Sequence, residues 1–198
     1  MEPSSSTESR SSLPAELQAE LLRVARAAVE HAAAHGRELL VRAEDYPPPL
    51  RQVRSSFVTL RTPADELRGC IGTCWPRRSL VVDVASNACA AAIYDPRFAP
   101  VQVGEVAGLR IHISLLTVPE RLTCLSEADL LQQVRPGVDG LILESAGRRG
   151  TLLPAVWEVL PEAREFVRQL KLKAGLAPAE WPADMVVYRY TAESIQEP

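Results

Sequence analysis

The stretch Leu67-Arg68-Gly69-Cys70-Ile71-Gly72 decides how this chain is read. In an extended backbone successive side chains alternate, so Arg68, Cys70 and Gly72 share one face and Leu67, Gly69 and Ile71 the other. The apolar set can face a core. Arg68 and Cys70 would then have Cα atoms roughly 6.5–7 Å apart, close enough for the guanidinium to favour a thiolate on an exposed cysteine. Gly69 and Gly72 remove side chains on either side of the thiol, which permits a bulge or the close approach of a substrate backbone. The opposing reading makes Cys70 a small packed residue and the glycines points of tight contact between subdomains, because buried free cysteine is common and inert.

Working outward, the run Phe57-Val58-Thr59-Leu60 reads as a strand, joined to 67–73 by the turn formers Thr62-Pro63-Ala64-Asp65, so the two form a hairpin. Residues 80–94 carry Leu80, Val81, Val84, Ala85, Ala88 and Ala92 at helical spacing and stop before Asp95-Pro96. Upstream, residues 13–35 form the clearest helix, with Pro14 near its start and Gly36 just beyond its end. The three prolines 47–49 predict an extended linker after it. Downstream, residues 109–115 alternate apolar and polar, the pattern of a half-buried strand. Short strands at 140–145 and 150–153 flank a glycine turn, 161–174 is helical with Gly175 as its stop, and 185–190 is a final strand. Helices and hairpins mixed in this way predict an α+β fold and not a repeated βαβ unit.

With 46% hydrophobic residues in 198, the chain can bury one sizeable core or two small ones. A net charge of −3 gives none of the clustered basic surface that nucleic acid requires. Residues 1–12 are serine-rich and carry no apolar run, so they are expected to be a disordered tail and not a leader, and no window approaches a membrane span. Four cysteines without a secretory leader fit free thiols in the cytoplasm.

Around the six-residue stretch the chain resembles the AMMECR domain family, which is named for a human chromosomal region and represented in bacteria and archaea by component A of the AmmeMemoRadiSam gene system. The resemblance extends over Phe57-Val58-Thr59-Leu60, Asp95-Pro96-Arg97-Phe98, Pro136-Gly137-Val138-Asp139-Gly140, Leu153-Pro154 with Val156-Trp157, Lys173-Ala174-Gly175-Leu176 and Tyr188-Arg189-Tyr190, in family order. Two positions depart from it: Ser55-Ser56 where glycine often precedes the Phe-Val-Thr strand, and Leu152 where Phe often precedes Leu-Pro. The resemblance implies two unequal subdomains, each with an antiparallel sheet and flanking helices, separated by a cleft that the signature strand faces. Projected here, the larger spans about 13–118 plus 183–198 and the smaller about 119–182, with connections near 117–121 and 181–184. The family carries no settled activity. Its gene system implies, by association alone, a pathway shared with Memo-like and radical S-adenosylmethionine proteins.

Two functions stay open at this point. One is an enzyme or substrate-processing factor with Cys70 as nucleophile and Arg68 as its electrostatic partner. The other is a non-catalytic module binding a protein, peptide or small molecule. Leu67, Gly69, Ile71 and Gly72 join the candidate site as binding residues. Arg97, Arg148, Arg149 and Lys173 fall in family-like segments and are candidates to line an anion-binding cleft. Cys70 and Cys74 would share a strand face but lie about 13 Å apart, beyond disulfide reach. Cys89 and Cys124 show no Cys-x2-Cys partner, so no metal site is expected and they read as core residues. His31 and His35 suit the last turn of their helix better than a metal. His112 could serve Cys70 as a base only if their strands were neighbours. Arg164, Arg168 and Lys171 read as a solvated helical stripe. No phosphate loop, dinucleotide fingerprint or iron–sulfur cysteine cluster names a cofactor.

Overall fold

The computed structural model describes residues 13–197; the stretch read as a tail lies outside the described residues. The chain forms two compact units, one running through Leu115 and resuming at Glu193, the other spanning Leu116–Ala192. Each holds one four-stranded antiparallel sheet, giving the expected α+β class.

In the first unit the strands β1 (Ser56–Arg61), β2 (Leu67–Gly72), β3 (Arg110–Leu116) and β8 (Ala192–Gln196) run in the order β2-β1-β3-β8. Val58, Leu60, Ile111 and Ile113 are fully buried on one face, as period-two alternation requires. That face packs on helix α3 (Leu80–Ile93), which also packs on α1 (Ala15–His35). Helix α3 is buried on nearly every side, so it carries alanines where neighbours press closest and few charges. The charge it does carry, Asp83, is 1% exposed. Its carboxylate accepts from Ser56 N, Ser56 Oγ and Asn87 Nδ2 at 2.7–2.9 Å, which ties the start of β1 to the helix. Burial pushes the Asp83 carboxyl above its ordinary pKa, against those hydrogen bonds.

The proline run behaves differently from the extended linker expected. Pro48–Arg51 forms a helical turn, α2, because proline at the first helical positions has no amide donor to lose. A second short turn, α4 (Val103–Val106), opens with a capping box in which Glu105 Oε2 accepts from Gln102 N at 2.7 Å.

In the second unit β4 (Glu120–Leu122), β5 (Gly140–Ser145), β6 (Arg148–Leu152) and β7 (Val186–Tyr190) run in the order β4-β7-β5-β6. The helices α5 (Glu127–Gln133) and α6 (Ala163–Lys173) complete its core, in which Trp157 stacks on Phe166 with ring centroids 3.8 Å apart. Lys171, read from sequence as part of a solvated stripe, is 1% exposed. Its ammonium is sealed by the Glu127 carboxylate and by the carbonyls of Pro178 and Glu180. A buried ammonium needs that complete a partner set.

The strand at Val186–Tyr190 does not return to the first sheet as expected. It pairs with β4 and β5, and the return falls after it, at β8. Tyr190 explains the choice. Its ring lies where a Cβ on Gly140 would come within 2.5 Å, and its hydroxyl meets Thr151 Oγ1 at 2.8 Å and donates to Leu152 O at 3.0 Å.

Gly69 is pressed against backbone: a Cβ there would lie 2.2 Å from the Ala91 carbonyl oxygen of α3. Gly69→Ala is therefore expected to lower unfolding free energy by at least about 2 kcal/mol through overpacking. Gly104→Ala, with nothing within 4 Å of the added carbon, should be neutral or stabilising by up to about 1 kcal/mol. Urea unfolding of both variants checks this, and equal midpoints would refute it.

Candidate functional site

Cys70 stands on β2, an edge strand, directly opposite Thr59 of β1. The amide of Thr73 donates to Ser56 O, and that parity makes 59/70 a pair without mutual backbone hydrogen bonds, in which side chains come closest. The Thr59 hydroxyl accordingly donates to Cys70 Sγ at 3.2 Å. The same parity turns the N–H and C=O of Cys70 away from β1, toward the open edge.

Two side chains from the segment just past α3 meet those groups. Asp95 Oδ2 accepts from Cys70 N at 2.8 Å, and Arg97 Nη2 donates to Cys70 O at 3.2 Å. Arg97 also chelates Asp95 through Nε at 2.9 Å and Nη2 at 2.6 Å. Asp95 is 4% exposed, and its hydrogen bonds from Arg97 hold its carboxyl far below the usual carboxylate range against the opposing effect of burial. The Arg97 guanidinium is raised in turn, first by Asp95. Together they supply one acceptor and one donor at strand-like positions, so an Asp-x-Arg pair does for β2 what a neighbouring strand would do.

Arg68 does not partner the thiol. Its Nε and Nη2 bind Glu105 at 3.0 and 3.1 Å, and its Nη1 donates to Ala99 O at 3.0 Å. The Phe98 ring meets two cations, its centroid 6.0 Å from the Arg68 guanidinium carbon and 5.4 Å from that of Arg97. Arg97, nominated as an anion ligand, is the cation beside Cys70. Ile71 packs against the core, Leu67 is 38% exposed, and the two glycines admit the protein's own atoms where a substrate backbone had been considered. The Phe57 ring fills the space beside Gly72, 2.2 Å from a Cβ there, as α3 fills the space beside Gly69.

His112 is opposite Thr59 on its other side, since β1 lies between β2 and β3. Two strand spacings, about 9.5 Å, separate it from Cys70, so the two form no dyad. Burial and, next, Arg61 keep its imidazole below the ordinary pKa. Cys74 falls past the end of β2 and shares no strand face with Cys70. In the second unit Arg149 binds Glu144 at 2.6 Å, Arg148 binds Glu180 at 3.1 Å, and Lys173 is exposed at the end of α6.

Glu105 escaped the sequence reading, while Thr59 and Asp95 were read as a strand residue and a helix stop within family-like segments and not as partners of Cys70. Signals for two of them existed. The Gln102-x-x-Glu105 spacing marks a capping box, and an acid followed two residues later by Arg can form a local ion pair.

Because its folded pKa is depressed, Asp95 contributes stability above the ordinary aspartate range and loses it as pH falls through and below about 3.9. Asp95→Asn should cost about 2 kcal/mol at neutral pH. Urea midpoints of the two proteins should converge as pH falls below 4; a gap independent of pH would refute the carboxylate's role.

The family model for AMMECR1 matches residues 22–195. Protein MJ0810 of Methanocaldococcus jannaschii is 38% identical over 183 residues, covering 89% of this chain and 88% of that protein. Protein PF1979 of Pyrococcus furiosus is 37% identical over 187 residues, covering 89% and 86%. The crystal structure of uncharacterized protein PH0010 from Pyrococcus horikoshii is similar with a TM-score of 0.85 and 36% identity, over 93% of each chain.

Proposed function

This chain belongs to the AMMECR1 family, and on that premise we propose that it is a non-catalytic recognition module whose first unit binds a protein or peptide segment on the sheet face around Cys70. The observation that carries this reading is the saturation of the groups beside the thiol. Thr59 donates to Sγ, Asp95 and Arg97 hold the cysteine backbone, and Glu105 holds Arg68. A nucleophile needs an adjacent base or an uncommitted cation. The histidine sharing that row sits beyond Thr59. What remains is a half-buried row of polar side chains, Cys70, Thr59 and His112, on a rigid sheet, an arrangement that suits recognition. Its partners are proposed to come from a pathway that includes Memo-like and radical S-adenosylmethionine proteins.

One observation favours the enzymatic reading. The Thr59 hydroxyl donates to Sγ and the Arg97 guanidinium sits at the Cys70 carbonyl, the kind of polar, cationic setting in which reactive cysteines occur. A pH series of iodoacetamide labelling, read by peptide mass spectrometry on wild type, Arg68→Ala and Thr59→Val, separates the two. Cys89 and Cys124 are slow internal references, because burial raises both thiols. Recognition is expected to leave Cys70 no faster than a free model thiol, and Cys70→Ser should retain function in cells. Labelling of Cys70 about tenfold faster than that thiol, lost in Thr59→Val, would overturn the proposal in favour of covalent chemistry.

A further inference from the structure

The edge strand β6 is finished differently from β2. Ala146 and Gly147 alone join it to β5, both at positive φ (48 and 77), the conformation of a tight two-residue hairpin. In such a hairpin Ser145 and Arg148 exchange both backbone hydrogen bonds, so alternation turns the N–H and C=O of Arg149 and Thr151 away from β5. No described residue hydrogen-bonds to those four groups. On β2 the corresponding outward groups of Cys70 are both met.

We infer that the outward edge of β6 is a strand-addition site for an extended, acidic segment of another protein. Two donors and two acceptors repeating at about 6.6–7 Å are matched together only by another extended main chain; a small anion would take a donor and leave the carbonyls unmet. The side chains set the charge of the partner. Arg149 is ion-paired with Glu144 through Nε at 2.6 Å, and its side chain is 52% exposed. Arg148 is anchored to Gly175 O at 2.9 Å and to Glu180 at 3.1 Å and remains part-exposed. The end of α6, where Lys173 is exposed, packs directly on the strand: a Cβ on Gly150 would lie 2.6 Å from Ala174 N. At the hairpin end a hollow of ≈ 500 Å³, lined by both arginines with Glu144, Asp184 and Val186, has room for a side chain of the added strand. This site lies in the second unit and goes beyond the Cys70 reading, which can fail without it.

The test uses the full chain and a fluorescein-labelled nine-residue peptide alternating Glu and Val, followed by anisotropy and by amide hydrogen exchange. Saturable binding is expected, with exchange at Arg149 and Thr151 slowed at least roughly tenfold at saturation. The same peptide N-methylated at alternate residues should bind roughly tenfold more weakly, having lost its donors. Arg149→Ala, which removes the exposed guanidinium without placing an acid beside Glu144, should weaken the acidic peptide and leave a Thr/Val peptide unchanged. Absence of saturable binding, or equal binding of the N-methylated peptide, overturns the proposal. Protection of the two amides that grows with protein concentration and without peptide also overturns it, and assigns the edge to a second copy of the chain.

Discussion

The contact between Gly69 and the Ala91 carbonyl sets the geometry of the first unit. With no side chain at 69, β2 rests directly on the backbone of α3, and the separation of strand and helix is fixed by hard-sphere contact. The end of α3 then lies beside the strand's open edge. Proline at 96 closes the helix, and Asp95 and Arg97 emerge where the outward groups of Cys70 need partners. A larger residue at 69 would lift β2, lengthen those hydrogen bonds and loosen the Thr59–Cys70 pair together. The six-residue stretch is thus one device: Gly69 sets the height, Ile71 anchors to the core, Gly72 receives Phe57, and Arg68 and Cys70 are fixed by what surrounds them.

The two units treat their exposed sheet edges in opposite ways. An open edge is a hazard, because its unpaired amides and carbonyls invite pairing with any extended chain. The first unit spends a buried carboxylate and a guanidinium on closing β2 at Cys70. The second leaves β6 bordered by charged side chains, a cheaper protection that discourages random pairing yet can be turned into selectivity by a partner of opposite sign.

Much of this architecture is legible in the residues. The helices α1, α3 and α6 carry 3.6-residue periodicity, and β1, β2, β3, β5 and β7 carry alternation or β-branched runs, so their existence follows from pattern alone. The topology of β7 does not. Its aromatic and β-branched residues suit either sheet, and only the fit of Tyr190 over Gly140 decides between them. Lys171 was misread because helical spacing shows which residues share a stripe but not which stripe a neighbouring loop will cover. The surroundings of Cys70 were not legible: Arg68 is its neighbour in sequence, but Arg97 is the cation hydrogen-bonded to its carbonyl, and Glu105 holds Arg68 from 37 residues away. Long-range pairing of this kind leaves no local trace.

The sealing of Lys171 has a practical consequence. Lys171 and Lys173 are the only lysines in the sequence, the other basic side chains being arginines and histidines. With the first enclosed by Glu127 and two carbonyls, Lys173 is the one side-chain amine open to acylating reagents. Reagents that attack amines should therefore attach, apart from the chain's own N-terminal amine, at a single corner of the second unit. That corner adjoins β6, so a dye or a cross-linker can be placed beside the unpaired edge without engineering a new residue.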